Sequence, residues 1–219
     1  MEFRFQQDMY GIEMVDLIVY SENGRKIIIP MKAKNTMWVC TLKESQERVI
    51  YRFRINGGSI ELNDPNANYY ITDKFNKVWS VREEEVTNES SIKIVKSVIT
   101  DRVMNDINKI VVKKGFNLRE NKEVVVGAKV SEVIGVHLVT VIWFQPDGRM
   151  YHIDERTLMS DFKVDAEVWF WLKTSEMSAN YCKGAWTLEM YIDGDKVVRD
   201  NFIINEKISE QYIGFSCTA

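Results

Sequence analysis

Tyr51-Arg52-Phe53-Arg54-Ile55-Asn56-Gly57-Gly58 and Trp186-Thr187-Leu188-Glu189-Met190-Tyr191-Ile192-Asp193-Gly194-Asp195 decide the fold. In both stretches apolar side chains alternate with polar ones, the period of a strand with one face in a core. Asn56-Gly57 and Asp193-Gly194 supply the positive-φ turn that joins two antiparallel strands. One device used once in each half predicts an all-β chain of two tandem antiparallel β-sandwiches. At 219 residues the chain suits two domains of about 100 residues each and falls short of the roughly 250 of a (β/α)8 barrel.

Composition narrows the function classes. Apolar residues make up 45% and charged residues 28%, enough apolar content for two cores. The 29 basic and 32 acidic side chains leave a net charge of −3 and form no basic block to neutralise a row of phosphates, which argues against a nucleic-acid partner. The N-terminal Met1–Asp8 lacks the order of a secretory signal and no stretch approaches 18 apolar residues, so the expectation is a cytoplasmic chain with no membrane partner. Cys40, Cys182 and Cys217 are odd in number and widely spaced, which predicts small buried hydrophobes and no disulfide, metal or other cofactor.

Candidate strands recur at Met14–Tyr20, Arg25–Pro30, Met37–Leu42, Val49–Asn56, Ser59–Leu62 and Val78–Arg82, with Asn23-Gly24 marking a hairpin. The acidic run from Glu83 to Ser91 supplies no buried face and sets a boundary. The first sandwich is therefore placed at 1–84, the second at 92–206 and a tail at 207–219. From Thr100 to Lys114, apolar residues at helical spacing compete with the β-branched Ile110-Val111-Val112, and strand and loop is the preferred reading. Strands follow at Val124–Val130, His137–Gln145, Val168–Lys173, Trp186–Ile192 and Phe202–Asn205, with Trp143 and Trp186 in the core.

Met37–Leu42, the Tyr51–Gly57 strand and turn, and Asn63-Asp64-Pro65-Asn66-Ala67 resemble the early-set, glycogen-binding type of module found on starch-branching enzymes and on the β subunit of AMP-activated kinase. The resemblance implies a glucan site in which Arg52 replaces the family's lysine and Asn76, in Phe75-Asn76-Lys77, matches its asparagine. The two stacking tryptophans of glucan-binding members are missing: their counterparts are Ser21–Gly24 and Gly57–Glu61. In the second half, Trp143-Phe144-Gln145-Pro146-Asp147-Gly148 and the later Gly184-Ala185-Trp186 resemble bacterial immunoglobulin-like and fibronectin-like accessory domains.

Residues with chemical potential are sparse. His152 and Asp154 share a strand face and together form a candidate general-base pair, with a solvated pair as the alternative. Asp193-Gly194-Asp195 offers two carboxylates for calcium but lacks the remaining ligands, so a solvated hairpin tip is preferred. In Glu167-Val168-Trp169-Phe170-Trp171-Leu172-Lys173, alternation sets Val168, Phe170 and Leu172 on one face and Trp169 and Trp171 on the other, where two indoles could anchor a partner or pack structurally. The resulting expectation is a non-catalytic binding or scaffolding protein that grips a protein partner through sheet faces and edges, with homodimerisation along strand edges as a variant. An α-glucan-binding module acting through Arg52 and Asn76 is the alternative, and an enzyme built on His152 and Asp154 the third reading.

Overall fold

The computed structural model describes residues 1–6, 12–21, 24–42, 47–58, 60–83, 92–174 and 183–205. Residues 84–91 of the acidic segment expected to divide the chain, the tail 207–219, Asn23, Cys182 and Cys217 lie outside them. The described chain is all-β, with several antiparallel sheets. No helix among the described residues is long and apolar enough to cross a membrane.

In the first half, β1 (Glu2–Gln6), β4 (Lys32–Lys34) and β5 (Met37–Thr41) form a small sheet in the order β1-β5-β4. Facing it are β2 (Val15–Tyr20), β3 (Lys26–Pro30), β6 (Arg48–Ile55), β7 (Ile60–Leu62), β8 (Tyr69–Thr72) and β9 (Val78–Glu83), ordered β3-β2-β6-β9-β8 with β7 on β6. The alternation of β6 works as read: Tyr51, Phe53 and Ile55 point into the core with Leu17 and Val19. Phe3 and Phe5 come down from β1 and meet Tyr51 and Phe53 edge-on, at ring-centre separations of 4.6 and 5.1 Å. Such edge-to-face pairs each contribute about 0.5–1.5 kcal/mol beyond the area they bury. Cys40 is buried in the same core.

The second half departs from the expected set of short strands. It holds β10 (Lys93–Thr100), β11 (Gly115–Asn117), β12 (Glu123–Phe144), β13 (Met150–Lys173), β14 (Gly184–Ile192) and β15 (Asp195–Asn205). Strands expected at Val124–Val130 and His137–Gln145 are one strand, and Val168–Lys173 is the end of another. The two pair from Glu123↔Lys173 to Phe144↔Met150, closing at the turn that begins with Gln145-Pro146-Asp147-Gly148. A straight strand of this length would span about 70 Å. Instead the register shifts between Val130 and Gly135, where Glu132 (φ 66°) and Gly135 (φ 85°) take left-handed backbone. Bulges of this kind bend a ladder. Beyond the bend β12 exchanges β10 for β14 as its second neighbour. Val124, Val126 and Val130 before it and Val139, Val141 and Trp143 after it line one apolar cluster, with Phe170, Trp186 and Phe202. Trp143 and Trp186 are fully buried there. Between Thr100 and Lys114 there is a single 3-10 turn, Ile107–Lys109, capped by the Asp106 carboxylate, and Ile110–Lys113 belong to no ladder.

Among the described residues every ladder stays on one side of the 84–91 segment, whereas apolar packing crosses between the halves. After its bend, β12 is buried on both faces: Val139, Val141 and Trp143 turn to their own core, while Ile142 joins Met150 and Ile153 in the first half's core. Leu138 packs on Ala67, Tyr70 and Val78. The Asp193-Gly194 turn completes the joint. Gly194 (φ +88°) sits so close to the Pro65–Asn66 backbone that a Cβ there would lie 2.1 Å from the Pro65 carbonyl oxygen.

That approach gives a direct test. Gly57 also has positive φ (+79°), but a methyl group there would meet nothing within 4 Å, so Gly57→Ala should cost backbone strain alone, about 1–2 kcal/mol. Gly194→Ala should cost clearly more in urea denaturation, because it adds a backbone clash to the same strain. Equal losses for the two would mean that the turn does not press against Pro65.

Candidate functional site

Arg52 projects from the face of β6 opposite the aromatic core. Nη1 donates to the Val78 carbonyl (2.6 Å) and Nη2 to the Glu61 carbonyl (2.7 Å), while Glu61 and Glu155 carboxylate oxygens each lie 3.9 Å away. At 9% exposure the guanidinium is enclosed by Val78 and Glu61 of its own half and by Glu155 of the second, so the glucan contact implied by the family resemblance would require this cluster to open. Asn76 stands apart from it, exposed in the Asp73–Asn76 turn with φ 60°, its N–H donating to the Asp73 carbonyl (2.9 Å).

Glu155 reaches this cluster from β13 and accepts from the Asn63 backbone N–H (2.8 Å) and side-chain amide (3.3 Å). Burial raises its carboxyl to a pKa of about 7, against the opposing pull of Arg52 and of the Asn63 hydrogen bonds. Asn63 continues inward: its Oδ1 accepts from Ser80 Oγ, which accepts from the Asp64 N–H (2.7 Å), and Asp64 Oδ2 accepts from the Tyr51 hydroxyl (2.7 Å). A buried polar chain therefore runs from the second half into the aromatic core of the first.

The histidine–carboxylate contact of this fold is not the one read from the sequence. His152 is exposed, and Asp154 accepts from Arg156 Nη1 (2.8 Å). His137 Nδ1 instead lies 2.6 Å from Asp193 Oδ2 and its Nε2 2.6 Å from the Ile134 carbonyl. Asp193 Oδ1 also accepts from the Leu138 N–H (2.9 Å). Two acceptors on one ring are satisfied together by the imidazolium. Burial lowers the His137 pKa, but the Asp193 hydrogen bond and charge and the Ile134 carbonyl raise it more, for a net upward shift. The pair ties the bend of β12 to the β14–β15 turn. It escapes a sequence reading because only the β12–β14 pairing unites residues so far apart.

The tryptophan strand alternates as expected. Val168, Phe170 and Leu172 are core, and Trp169 and Trp171 share the other face. Both indoles are half-buried. Trp169 lies over Gly127, where a Cβ would come within 2.3 Å of the ring, and it is covered by Val98, Ile107 and Ile110. Trp171 has the Arg156 guanidinium 5.9 Å above its ring centre. An exposed apolar patch lies further back on β13, at the bend: Met159 is 54% exposed, Phe162 77% and Val164 41%, with Ile134 beside them on β12. There the ladder slips between Ser160 and Val164. Ser160 Oγ exchanges hydrogen bonds with the Phe162 backbone, and Phe162 is turned outward. Among the described residues β13 pairs with β12 alone, so its outer edge carries no strand.

No protein-family model and no curated protein matches the chain. Among solved structures it is similar to an alkylpurine DNA glycosylase of Pseudomonas fluorescens, solved bound to DNA containing an abasic site analog, at 10% identity and TM-score 0.37 over 54% of this chain and 32% of that one. It is also similar to a tetra-tandem repeat in the extending region of a large adhesion protein, at 9% identity and TM-score 0.29 over 94% of this chain and 45% of that one. The chain thus spans less than half the length of either. The expectation that the chain is not an enzyme is corrected to an open one: the first of these matches is itself a DNA glycosylase, and enzymatic activity is neither assigned nor excluded. At this level of likeness it assigns no reaction to the chain.

Two titrations follow from the buried groups. An acid whose folded pKa is raised stabilises the fold below its unfolded value and loses that contribution as pH rises through the folded one. From about pH 4.5 to about 7, Glu155 should therefore withdraw on the order of 3 kcal/mol of stability. Urea midpoints across that window should fall in the wild type and stay flatter in Glu155→Gln, which keeps an acceptor for Asn63; parallel curves would refute this. By NMR, His137 should titrate above the ordinary 6.5 and move down in Asp193→Asn.

Proposed function

We propose that the chain is a binding module that recognises a protein partner along the outer edge of β13, with Met159, Phe162 and Val164 as the apolar contact. The observation that carries this is Phe162, a large ring 77% exposed on an edge strand of 24 residues, where globular strands usually run 3–10. An unpaired edge offers backbone donors and acceptors to an incoming extended segment, and alternate side chains give selectivity. Protective features confine the contact. The slip at Ser160–Val164, and the charges of Lys163 with Glu132 and Lys129 with Asp165, disfavour indiscriminate strand addition. Trp169, covered by the 3-10 segment, is less suited to anchor a partner than Phe162.

On this reading the first half is an early-set module and the second an immunoglobulin-like one. Support comes from the two facing sheets of the first half, from the single bent sheet of the second folded around its own apolar cluster, and from the sequence resemblances. Their joint, apolar and hydrogen-bonded, presents β13 from a fixed base.

The test is affinity capture with the immobilised chain from an extract of its source cells. A specific protein should be retained by the wild type and by Lys32→Glu, a control on β4, and lost in the double variant Met159→Asp, Phe162→Asp, with circular dichroism confirming the fold. Equal retention by the double variant would overturn the proposal, as would retention of nothing.

A further inference from the structure

Two adjoining cavities open where β1 passes the 63–67 loop, at the joint between the halves. The outer one, about 370 Å³, is lined by Glu2, Arg4, Asp64, Asn66 and Arg82. The inner one, about 120 Å³, shares Arg4, Asp64 and Asn66 with it and is otherwise walled mainly by Phe5, Phe53, Ile142, Met150 and Ile153. We propose that this cleft binds a small organic monocarboxylate carrying one apolar group, with the carboxylate on Arg4 at the mouth and the apolar group in the inner recess.

Size and charge choose the ligand class. An apolar cavity of about 150 Å³ stays dry and accepts benzene. A recess of about 120 Å³ therefore takes one phenyl or branched alkyl group and excludes a nucleobase with its sugar. At the mouth, Arg82 is fixed by the Glu2 and Asn66 carbonyls (2.9 and 3.1 Å). Asp64 is held inward by the Tyr51 hydroxyl and the Asn66 N–H (2.7 and 2.8 Å). Arg4 is bound only loosely: its side chain is 66% exposed and pairs with Glu2 at 2.5 Å. Exposed pairs of this kind are weak, so an incoming carboxylate displaces Glu2 at little cost and gains the planar fork of the guanidinium. Displacing one carboxylate frees one positive charge, which suits a monoanion. Because Phe5 and Phe53 belong to the first half and Ile142, Met150 and Ile153 to the second, a ligand in the recess touches both sides of the joint and stabilises it by mass action.

The probe is 3-phenylpropionate, titrated into the full chain labelled at Ile and Met methyls and followed by NMR, with calorimetry for affinity. Ile142, Met150 and Ile153 methyls should shift in a saturable way. Affinity should fall about tenfold or more for 3-phenylpropan-1-ol and 3-phenylpropylamine, and by a similar factor for Arg4→Gln, the weight of one charge-assisted contact. An acetylated tripeptide ending in Phe distinguishes the source. Tighter binding than phenylpropionate assigns a protein C-terminus, and weaker binding assigns a free acid. Unmoved recess methyls, or equal affinity for the acid and the alcohol, would overturn the proposal.

Discussion

The segment of β12 from Leu138 to Phe144 is buried on both faces, and the rest of the molecule is arranged around that constraint. Val139, Val141 and Trp143 fill the second core, while Leu138, Ile142 and Phe144 fill gaps in the first half. A strand with two dry faces needs its backbone groups satisfied on both edges, since an unpaired buried N–H or C=O costs about as much as a lost hydrogen bond. β13 and β14 supply those edges. The bend between Val130 and Gly135 then follows, because a straight continuation would carry Val124–Val130 away from the core that they share with Trp143. Tying His137 to both the Ile134 carbonyl and Asp193 fixes the bend at its inner side.

Polar chemistry at the joint is of a different kind. Arg52, Glu155 and Asn63 are more costly to bury than hydrocarbons of the same size, and a buried ion pair is weak evidence of stability. What the cluster provides is geometric selectivity. Glu155 meets both the amide and the N–H of Asn63 in one placement of the two halves, whereas the apolar contacts around Ile142 would tolerate sliding. A near-neutral titration of Glu155 is the consequence of putting a carboxyl where its solvent is gone and its cation is 3.9 Å away.

Alternation made the cores legible in the sequence. Tyr51, Phe53 and Ile55, Val139, Val141 and Trp143, and Val168, Phe170 and Leu172 all lie inward as their period of two demands. The middle of β13 was not legible, because Asp154-Glu155-Arg156 places charge on successive residues and so on both faces, and the period of two disappears. Glu155 breaks the pattern by facing the joint as a buried acid. The burial of Arg52 was hidden for a related reason: local pattern tells which side of β6 faces away from its own core, but not that Glu155 from another part of the chain lies against that side. The His137–Asp193 contact depends on strand pairing, which no local window contains. Gly127 carried a usable signal, since a lone glycine within an apolar strand marks a close approach; here the approaching group is Trp169.

The parallel pairing of β11 with β15 sets an order of events during synthesis. Gly115–Asn117 align with Ile203–Asn205, and Phe116 packs edge-on against Phe202. Until Phe202 leaves the ribosome, Phe116 has no ring to rest on, and β14 lacks the neighbour on its far side. The amino-terminal sheets can pair while translation continues but wait for Ile142, Met150 and Ile153 to complete their core, and the second core stays open to chaperones and to intermolecular contacts until Phe202 arrives.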